Sequence, residues 1–288
     1  MTKDERIALI SMPIVIIIGI GFAAAGSVGY SRVWGLPVYA FGVCLAFVIQ
    51  WIVFVPSYLK RTEKYYDLTG GATYLTVAIT AVYFSPVIDS RSILLATLIS
   101  IWAIRLGGFL FRRIHKAGKD GRFDTIKTSF IRFLLAWTLQ GLWVTFTLAA
   151  ALAAITTPLK RELGWYTLVG LIIWVIGFGM EAAADAQKSA FKANSANKGK
   201  FIKTGLWSKS RHPNYFGEIV LWVGVAIIAF PVLQGWQYAT LISPVFVTLL
   251  LTKISGVPML EKRADETWGG QEDYERYKKE TPVLIPRF

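Results

Sequence analysis

A nine-residue stretch in the C-terminal half of the chain, 210–218, carries an unusually dense set of reactive side chains. It reads Ser-Arg-His-Pro-Asn-Tyr-Phe-Gly-Glu and opens a long apolar segment. Pro213 is unsuited to a helix interior but suits a first turn, so we predict a helix that begins near Pro213 at a membrane surface. Asn214 and Glu218 then share one helix face. The candidate binding residues of this stretch are Arg211, His212, Asn214, Tyr215 and Glu218.

The start of this predicted helix has the chemistry of an anion site. Its free N–H groups and the positive end of its dipole attract negative charge. Arg211, which precedes Pro213, would add a guanidinium that complements a phosphate through two hydrogen bonds. The alternative is a helix start with ordinary interfacial polar residues. Ionisable groups that enter a membrane are costly, which favours the functional interpretation.

An acidic residue, Asp67, is the second candidate, and it comes directly before the third predicted span. Asp67 can cap that helix. It can instead reach into a substrate cavity, where burial raises the pKa of a carboxyl and lets it donate a proton near neutrality. Tyr65 and Tyr66 are its candidate partners; in the alternative interpretation they are aromatic residues of the membrane interface.

Two arginines are candidates for binding an anionic ligand. Arg105 lies about two turns from the cytoplasmic end of the fourth predicted span, where it either extends to the surface or faces a cavity and meets an acid or a phosphate. Arg122 ends a Gly-Lys-Asp-Gly-Arg turn that can touch phosphate or ribose. Because this turn lies in a basic loop, its charge alone indicates little. His115 in the same loop is expected to be solvated.

The sixth predicted span ends in charged residues at helical spacing. Glu181, Asp185, Lys188 and Lys192 follow one another at intervals of three and four residues, which gives one charged stripe. The stripe is either a solvated extension of the helix or part of the site.

Long apolar blocks must position these groups. The chain has 288 residues, of which 54% are hydrophobic and 17% charged, whereas soluble domains are about 25% charged. We predict an all-α, polytopic membrane bundle of about eight transmembrane helices, seven of them in the core shared with a family described below. The first block is too long for a signal peptide and is kept as a span. The predicted spans are 8–27, 34–58, 70–88, 92–111, 130–155, 165–184, 214–231 and 238–253.

The distribution of Lys and Arg predicts the orientation. With the N-terminus inside, 25 of these residues fall in inner segments and four in outer loops, so both termini are predicted to be cytoplasmic. The net charge of +13 is explained by these loops, and no nucleic-acid partner is expected. Cys44 is the single cysteine and lies in an apolar block, so no disulfide can form within the chain. No metal site is expected.

The polar chemistry lies almost wholly on the predicted cytoplasmic side. A transporter would show broken helices and polar groups near the bilayer midplane, together with an internal repeat, and the sequence shows no such repeat. There is no Gly-x-Gly-x-x-Gly and no strand–helix alternation, so no Rossmann domain is predicted. A membrane enzyme that takes a soluble cofactor from the cytoplasm and a lipid-like substrate fits better. The tail, 254–288, has enough apolar residues to fold back over the cytoplasmic side.

Several segments together resemble the membrane steroid 5α-reductase-like family, in particular a bacterial branch of uncharacterised members. The likeness covers most of the chain from about residue 60. It implies an N-terminal two-helix segment, 1–58, and a catalytic domain, 59–288, with cytoplasmic cofactor-binding loops at 112–129 and 185–213 and the tail. The segments that carry the resemblance are 66–70, 119–122, 207–218, 251–261 and 274–286.

The resemblance implies a reductase of the CH–CH class, similar to 3-oxo-5α-steroid 4-dehydrogenases, that reduces an activated C=C bond (an enone) with NADPH. The family's catalytic pair is a carboxylate and a tyrosine. By position the carboxylate is Asp67; the tyrosine position holds Trp102, which cannot act as a phenolic acid, so Tyr65 or Tyr66 would substitute. The implied cofactor positions are Asp185, Arg211, Asn214 and Glu218, with Lys192, Lys253 and Glu261 as weaker matches.

Two other interpretations remain open at this stage. The Arg-His-Pro-x-Tyr-x-Gly pattern also resembles isoprenylcysteine carboxyl methyltransferases, which use S-adenosylmethionine. A non-enzymatic sterol-binding or transport protein would bind no nucleotide. In the reductase interpretation the substrate is a steroid, sterol or prenoid enone, and the protein is a multi-pass protein of the inner (cytoplasmic) membrane.

Overall fold

A computed structural model of the chain describes residues 1–28, 32–118 and 120–287, with the side chains of Lys116 and Ala117 excepted. These residues are mostly helical, which confirms the predicted all-α architecture. The α-helices are α1 (Lys3–Gly26), α2 (Val38–Leu59), α3 (Tyr66–Tyr83), α4 (Ser90–Ala117), α5 (Phe130–Thr156), α6 (Trp165–Ala193), α7 (Pro213–Ala229), α8 (Ile242–Leu249), α9 (Val257–Trp268) and α10 (Glu272–Glu280).

Within the described ranges, seven helical segments are long and apolar enough to cross a membrane, and the chain is a multi-pass membrane protein. Each corresponds to a predicted span. The segments are Lys3–Gly26, Val38–Leu59, Ser90–His115, Phe130–Thr156, Trp165–Ala193, Pro213–Val232 and Gly235–Trp268.

The third predicted span, 70–88, falls on α3, which is not among those seven segments. The glycines and threonines of α3 lower its hydropathy. The threonine hydroxyls are nevertheless satisfied locally: Thr73 donates to the carbonyl of Thr69 at 2.7 Å. Halfway along, the amide of Gln50 on α2 donates to the Thr73 hydroxyl at 2.7 Å, so α3 lies alongside α2. These hydrogen bonds let the polar side chains of α3 pack within the bundle.

A tight hairpin joins α1 to α2. Strands β1 (Arg32–Val33) and β2 (Leu36–Pro37) pair antiparallel around a two-residue turn. Both turn residues have positive φ, +49° at Trp34 and +82° at Gly35. Such a turn matches the twist of paired strands, but a bulky residue rarely adopts this backbone conformation.

The chain divides into two compact units. Unit 1 comprises Met1–Gly164 and Ala229–Ser243, and unit 2 comprises Trp165–Ile228 and Pro244 onward. Helices α1 and α2 belong to unit 1 together with α3, α4 and α5. The predicted division after residue 58 follows the extent of the resemblance and not the packing, and it stays a prediction.

Helix α5 is the central element of unit 1, with 83% of its most apolar stretch buried. Near its first turns, Phe133 and Trp137 form an aromatic cluster with Phe54 of α2 and with Phe123 of the segment that precedes α5. This cluster fixes the loop between α4 and α5 against the start of α3. The candidate acid Asp67 lies in that first turn of α3, so its surroundings are built on rigid packing.

In unit 2, glycines let α6 and α7 approach closely. A methyl group at Gly177 would lie 2.6 Å from the Gly217 carbonyl oxygen, and one at Gly217 would lie 2.6 Å from the Gly177 carbonyl oxygen. Gly170 and Gly224 repeat this arrangement one heptad away. Small residues at such an interface allow backbone-to-backbone packing, which is how membrane helices commonly associate. The close approach brings the polar ends of α6 and α7 side by side.

The tail of unit 2 folds back on the segment before α7; its predicted place on the cytoplasmic side stays a prediction. The backbone N–H of Arg211 donates to Pro282 at 2.9 Å, and that of Arg287 donates to Lys209 at 2.9 Å. The Tyr277 hydroxyl donates to the Trp207 carbonyl at 2.7 Å. The tail is therefore a structural part of the region that holds 210–218.

Candidate active site

Asp67 lies in the first turn of α3 with a side chain that is 15% exposed. It does not cap the helix: α3 begins at Tyr66, and the residue at the cap position is Tyr65. Its carboxylate lies 3.7 Å from the Arg122 guanidinium and 3.8 Å from that of Arg113. Burial raises the pKa of Asp67, and the two guanidinium groups offset only part of that effect. A carboxyl in this state can hold a proton nearer neutrality than an ordinary aspartate.

A buried glutamate holds the loop that supplies Arg122. Glu63 accepts the backbone N–H of Asp120 at 2.9 Å and the Lys127 ammonium at 2.7 Å. Asp120 in turn accepts from the Arg122 guanidinium at 2.8 Å. In the structure the Arg122 guanidinium is oriented by two carboxylates, Asp120 and Asp67. A contact of Arg122 with phosphate or ribose stays a prediction.

The two tyrosines beside Asp67 have different environments. Tyr65 is half exposed. The Tyr66 ring lies between Phe123 and Trp137, with centroid distances of 4.8 and 5.1 Å. Its hydroxyl donates to the Ala136 carbonyl at 2.9 Å. The Tyr66 phenol is thus committed to a structural hydrogen bond, and a catalytic role for either residue stays a prediction.

Another tyrosine, Tyr74, lies next to the residue that occupies the family's tyrosine position. Its ring packs edge-on against Trp102 of α4, 4.9 Å between centroids, and both residues are buried. Tyr74 is seven residues after Asp67, so the two share a face of α3. That spacing is the sequence signal that could have identified Tyr74. Arg105, one turn after Trp102, is partly buried.

In unit 2, Glu261 joins the two basic residues of the 210–218 stretch. Its carboxylate lies 2.7 Å from Nε2 of His212 and 3.1 Å from Nη1 of Arg211. Arg211 also donates to the Lys278 carbonyl at 3.3 Å. The guanidinium predicted to meet a phosphate is therefore already paired, and with Glu261 it anchors α9 and α10. Among the described residues its Nε has no hydrogen-bond partner.

His212 is buried and its ring stacks on Tyr215, with 5.6 Å between centroids. Burial lowers the pKa of His212, and hydrogen bonding to Glu261 offsets only part of that effect. The imidazole is therefore neutral near pH 7. Tyr215 itself packs against Gly256, where a methyl group would lie 2.9 Å from the Tyr215 ring.

A buried polar set lies where α6 and α7 meet. The Asn214 amide donates to the Asp185 carboxylate at 3.2 Å. Glu218, one turn after Asn214, and Glu181, one turn before Asp185, are at most 9% exposed. The first part of the charged stripe is therefore not a solvated helix extension. Its last residue, Lys192, is exposed, as is Lys253 in the π-helical segment Leu250–Ile254 before α9. The described residues contain no cluster of three His, Cys, Asp or Glu side chains that could hold a metal ion.

A family profile matches residues 53–281 of this chain. The chain belongs to the family described as protein of unknown function, DUF1295. The matched range contains every candidate site residue and leaves α1 and most of α2 outside. The DUF1295 match and the relatives below confirm the predicted steroid 5α-reductase-like resemblance.

Relatives of this DUF1295 protein include three proteins from fungi and plants. It is 31% identical over 119 residues to "Probable O-methyltransferase ustE" of Ustilaginoidea virens, covering 36% of this chain and 42% of the relative. It is 29% identical over 128 residues to "Steroid 5-alpha-reductase DET2" of Gossypium hirsutum, covering 44% and 45%. It is 30% identical over 134 residues to "Delta(14)-sterol reductase ERG24" of Saccharomyces cerevisiae, covering 43% and 29%.

The chain thus spans less than half the length of these curated relatives. No solved structure matches the DUF1295 protein.

Proposed function

We propose that this protein is an integral-membrane, NADPH-dependent reductase of an activated C=C bond in a lipophilic, steroid-like substrate. The observation that carries the proposal is Asp67, a carboxyl that is only 15% exposed, has a raised pKa and lies beside two guanidinium groups. Enone reduction needs an acid group where negative charge develops, whereas methyl transfer to an existing carboxylate does not. Two of the three relatives are named as reductases of steroids or sterols.

The buried set on α6 and α7 supplies the groups that a dinucleotide needs. Carboxylates such as Asp185 and Glu218 accept hydrogen bonds from ribose hydroxyls or from a carboxamide, and the Asn214 amide can both donate and accept. The two carboxylates are buried, so a ligand would compete with little water for them. The exposed Lys192 and Lys253 are the cations that would complement phosphates. NADPH would supply the hydride when bound.

The residues of unit 1 would act on the substrate. As hydride adds to the β-carbon of the enone, the electrons of the C=C bond move to the carbonyl oxygen. Asp67 would donate a proton to that oxygen, which gives the enol. When a proton from water then adds to the α-carbon and the carbonyl re-forms, the oxygen returns its proton to Asp67, so the net addition is one hydride and one proton. Among the nearby phenols, Tyr74 is a further candidate for a second donor, because it is buried and shares a face of α3 with Asp67. The substrate class, a steroid, sterol or prenoid enone, and residence in the inner membrane belong to this proposal.

The second candidate is an S-adenosylmethionine-dependent methyltransferase, which the relative named as an O-methyltransferase favours. Its alignment covers 36% of this chain, compared with 44% and 43% for the two reductases. The buried acid in unit 1 has no role in such a reaction. Cofactor preference separates the two candidates directly.

The deciding experiment measures thermal stabilisation of the detergent-purified protein by NADPH, NADH and S-adenosylmethionine. A ligand that binds only the folded state raises the midpoint of unfolding. We expect NADPH to raise it, and Asp185→Asn and Glu218→Gln to abolish the shift. Asp273→Asn is the control, since this exposed carboxylate pairs only with the exposed Lys203 among the interactions described. Stabilisation by S-adenosylmethionine alone would establish the methyltransferase, and no shift with any ligand would favour a sterol-binding protein.

A further inference from the structure

A groove of about 460 Å³ lies between α2, α3 and the hairpin, and none of the candidate site residues lines it. Its walls are largely aromatic and aliphatic. The ring of Phe41 on α2 lies 6.1 Å from that of Phe84, which follows α3, and 5.6 Å from that of Trp34. These contacts define the end of the groove at the hairpin. Leu45 and Thr80 line it farther along the two helices.

The hairpin places a cation at the mouth of this groove. Arg32 is exposed, and its Nη1 donates to the Gly35 carbonyl at 2.7 Å, which holds the side chain over the turn. That bond uses one of the five guanidinium N–H groups and leaves others to bind an anion. Next to it, Trp34 is 91% exposed in spite of its unfavourable positive φ. Strained backbone conformations such as the positive φ of Trp34 are concentrated at functional sites. We therefore treat the exposed indole of Trp34 as a candidate binding group.

The lining of the groove continues along α2 and α3, away from the hairpin. Phe41 and Leu45 are one turn apart on α2, and Thr80 and Phe84 one turn apart beside them, so the lining extends about 6 Å or more along the helices. The hairpin lies at the predicted outer surface, so the groove runs from the headgroup region into the hydrocarbon. Aromatic side chains such as Trp34 prefer that boundary.

We propose that this groove binds one diacyl phospholipid of the outer leaflet. The phosphate would contact Arg32, the indole of Trp34 would lie at the headgroup level, and one acyl chain would occupy the space lined by Phe41, Leu45 and Phe84. An arginine fork suits a phosphate, and the apolar lining suits a chain but not a soluble anion. The inference is independent of the proposed reductase activity.

Native mass spectrometry of the full chain, released from detergent after addition of phosphatidylglycerol, tests the proposal. We expect the wild type to retain one lipid under activation that removes the rest. Arg32→Gln should lower this occupancy at least fivefold, and so should Leu45→Trp, which fills the groove. The matched controls are Arg161→Gln, another exposed cation of a predicted outer loop, and Ile79→Trp, on an exposed face of α3. Both controls should retain the lipid.

Equal occupancy in Leu45→Trp and Ile79→Trp would overturn the proposal, as would retention by Arg32→Gln. Displacement of the lipid by millimolar inorganic phosphate would show a simple anion site instead. Displacement by a steroid enone would assign the groove to the substrate and would also overturn the proposal. Thermal stabilisation by NADPH, measured on the same variants, should be unchanged, so a failed reductase proposal would not be confused with a failed lipid site.

Discussion

Asp67 is the residue on which the proposed chemistry most depends. Its carboxyl combines burial, which favours the neutral form, with two guanidinium groups 3.7 and 3.8 Å away that orient it. The pKa of Asp67 is raised on balance. A surface aspartate could not hold a proton near neutral pH, so the environment, and not the residue type, makes it a candidate acid.

Asp67→Asn should lower kcat for enone reduction by about 100-fold or more, because an amide cannot transfer a proton to the developing oxyanion. NADPH-dependent thermal stabilisation should persist. In the wild type kcat should fall as pH rises through the raised pKa of Asp67, because the protonated fraction of Asp67 declines. The variant should not show this decline in kcat. A pH–rate profile of both proteins checks this. Unchanged kcat in the variant would remove Asp67 from the mechanism.

The roles of Tyr74 and Tyr66 can be distinguished by replacing each of them with phenylalanine. Tyr74→Phe should lower kcat roughly 10-fold or more if its hydroxyl donates to the substrate oxygen. Tyr66→Phe should instead destabilise the fold by about 1 kcal/mol, since the Ala136 carbonyl loses its donor, and should leave kcat of the folded enzyme unchanged. Steady-state kinetics and thermal unfolding of both variants are the measurements. The opposite pattern would make Tyr66 the catalytic phenol.

At the scale of elements, the sequence predicts where α7 begins, but it does not predict which residues pair with the side chains just before that helix. Pro213 begins the helix as expected because the rule is local. The pairing of Glu261 with Arg211 and His212 joins segments nearly fifty residues apart, and nothing in either segment specifies it. The phosphate contact predicted for Arg211 stays a prediction, and its carboxylate partner could not be identified from the sequence. The hydrogen bond from the Tyr66 hydroxyl to the Ala136 carbonyl also joins distant segments, so it could not be predicted from the sequence either.

The close contact of α6 and α7 gives a test at this scale. Gly177→Ala places a methyl group 2.6 Å from the Gly217 carbonyl oxygen, so the helices must separate, at a cost of about 2 kcal/mol. Gly179→Ala is the matched control on the same helix, because nothing lies within 4 Å of its added methyl group. We expect Gly177→Ala to lower the unfolding midpoint and to weaken NADPH binding, since Asp185 and Asn214 lie on these two helices. Equal behaviour of the two variants would contradict the packing.

At the scale of the whole molecule, the all-α membrane architecture was predictable because apolar blocks and basic loops are global features of composition. Among the predicted spans the exception is α3, whose polar residues make it less apolar than the seven membrane-crossing segments. Its contact with α2 through Gln50 and Thr73 depends on tertiary structure. The topology nevertheless depends on this helix. If α3 crosses the membrane, the loops that follow alternate as the charge pattern requires; if it does not, every later loop changes sides.

Cysteine labelling decides between these topologies. In a Cys44→Ala background, Glu162→Cys lies in the exposed loop between α5 and α6, and Ser208→Cys lies in the exposed loop before α7. With α3 crossing, a membrane-impermeant maleimide should label Glu162→Cys in intact cells and Ser208→Cys only after the membrane is opened. The reverse pattern would mean that α3 does not cross. It would also place 210–218 on the outer side, away from cytoplasmic NADPH, so the same experiment tests whether the cofactor proposal is compatible with the orientation of the chain.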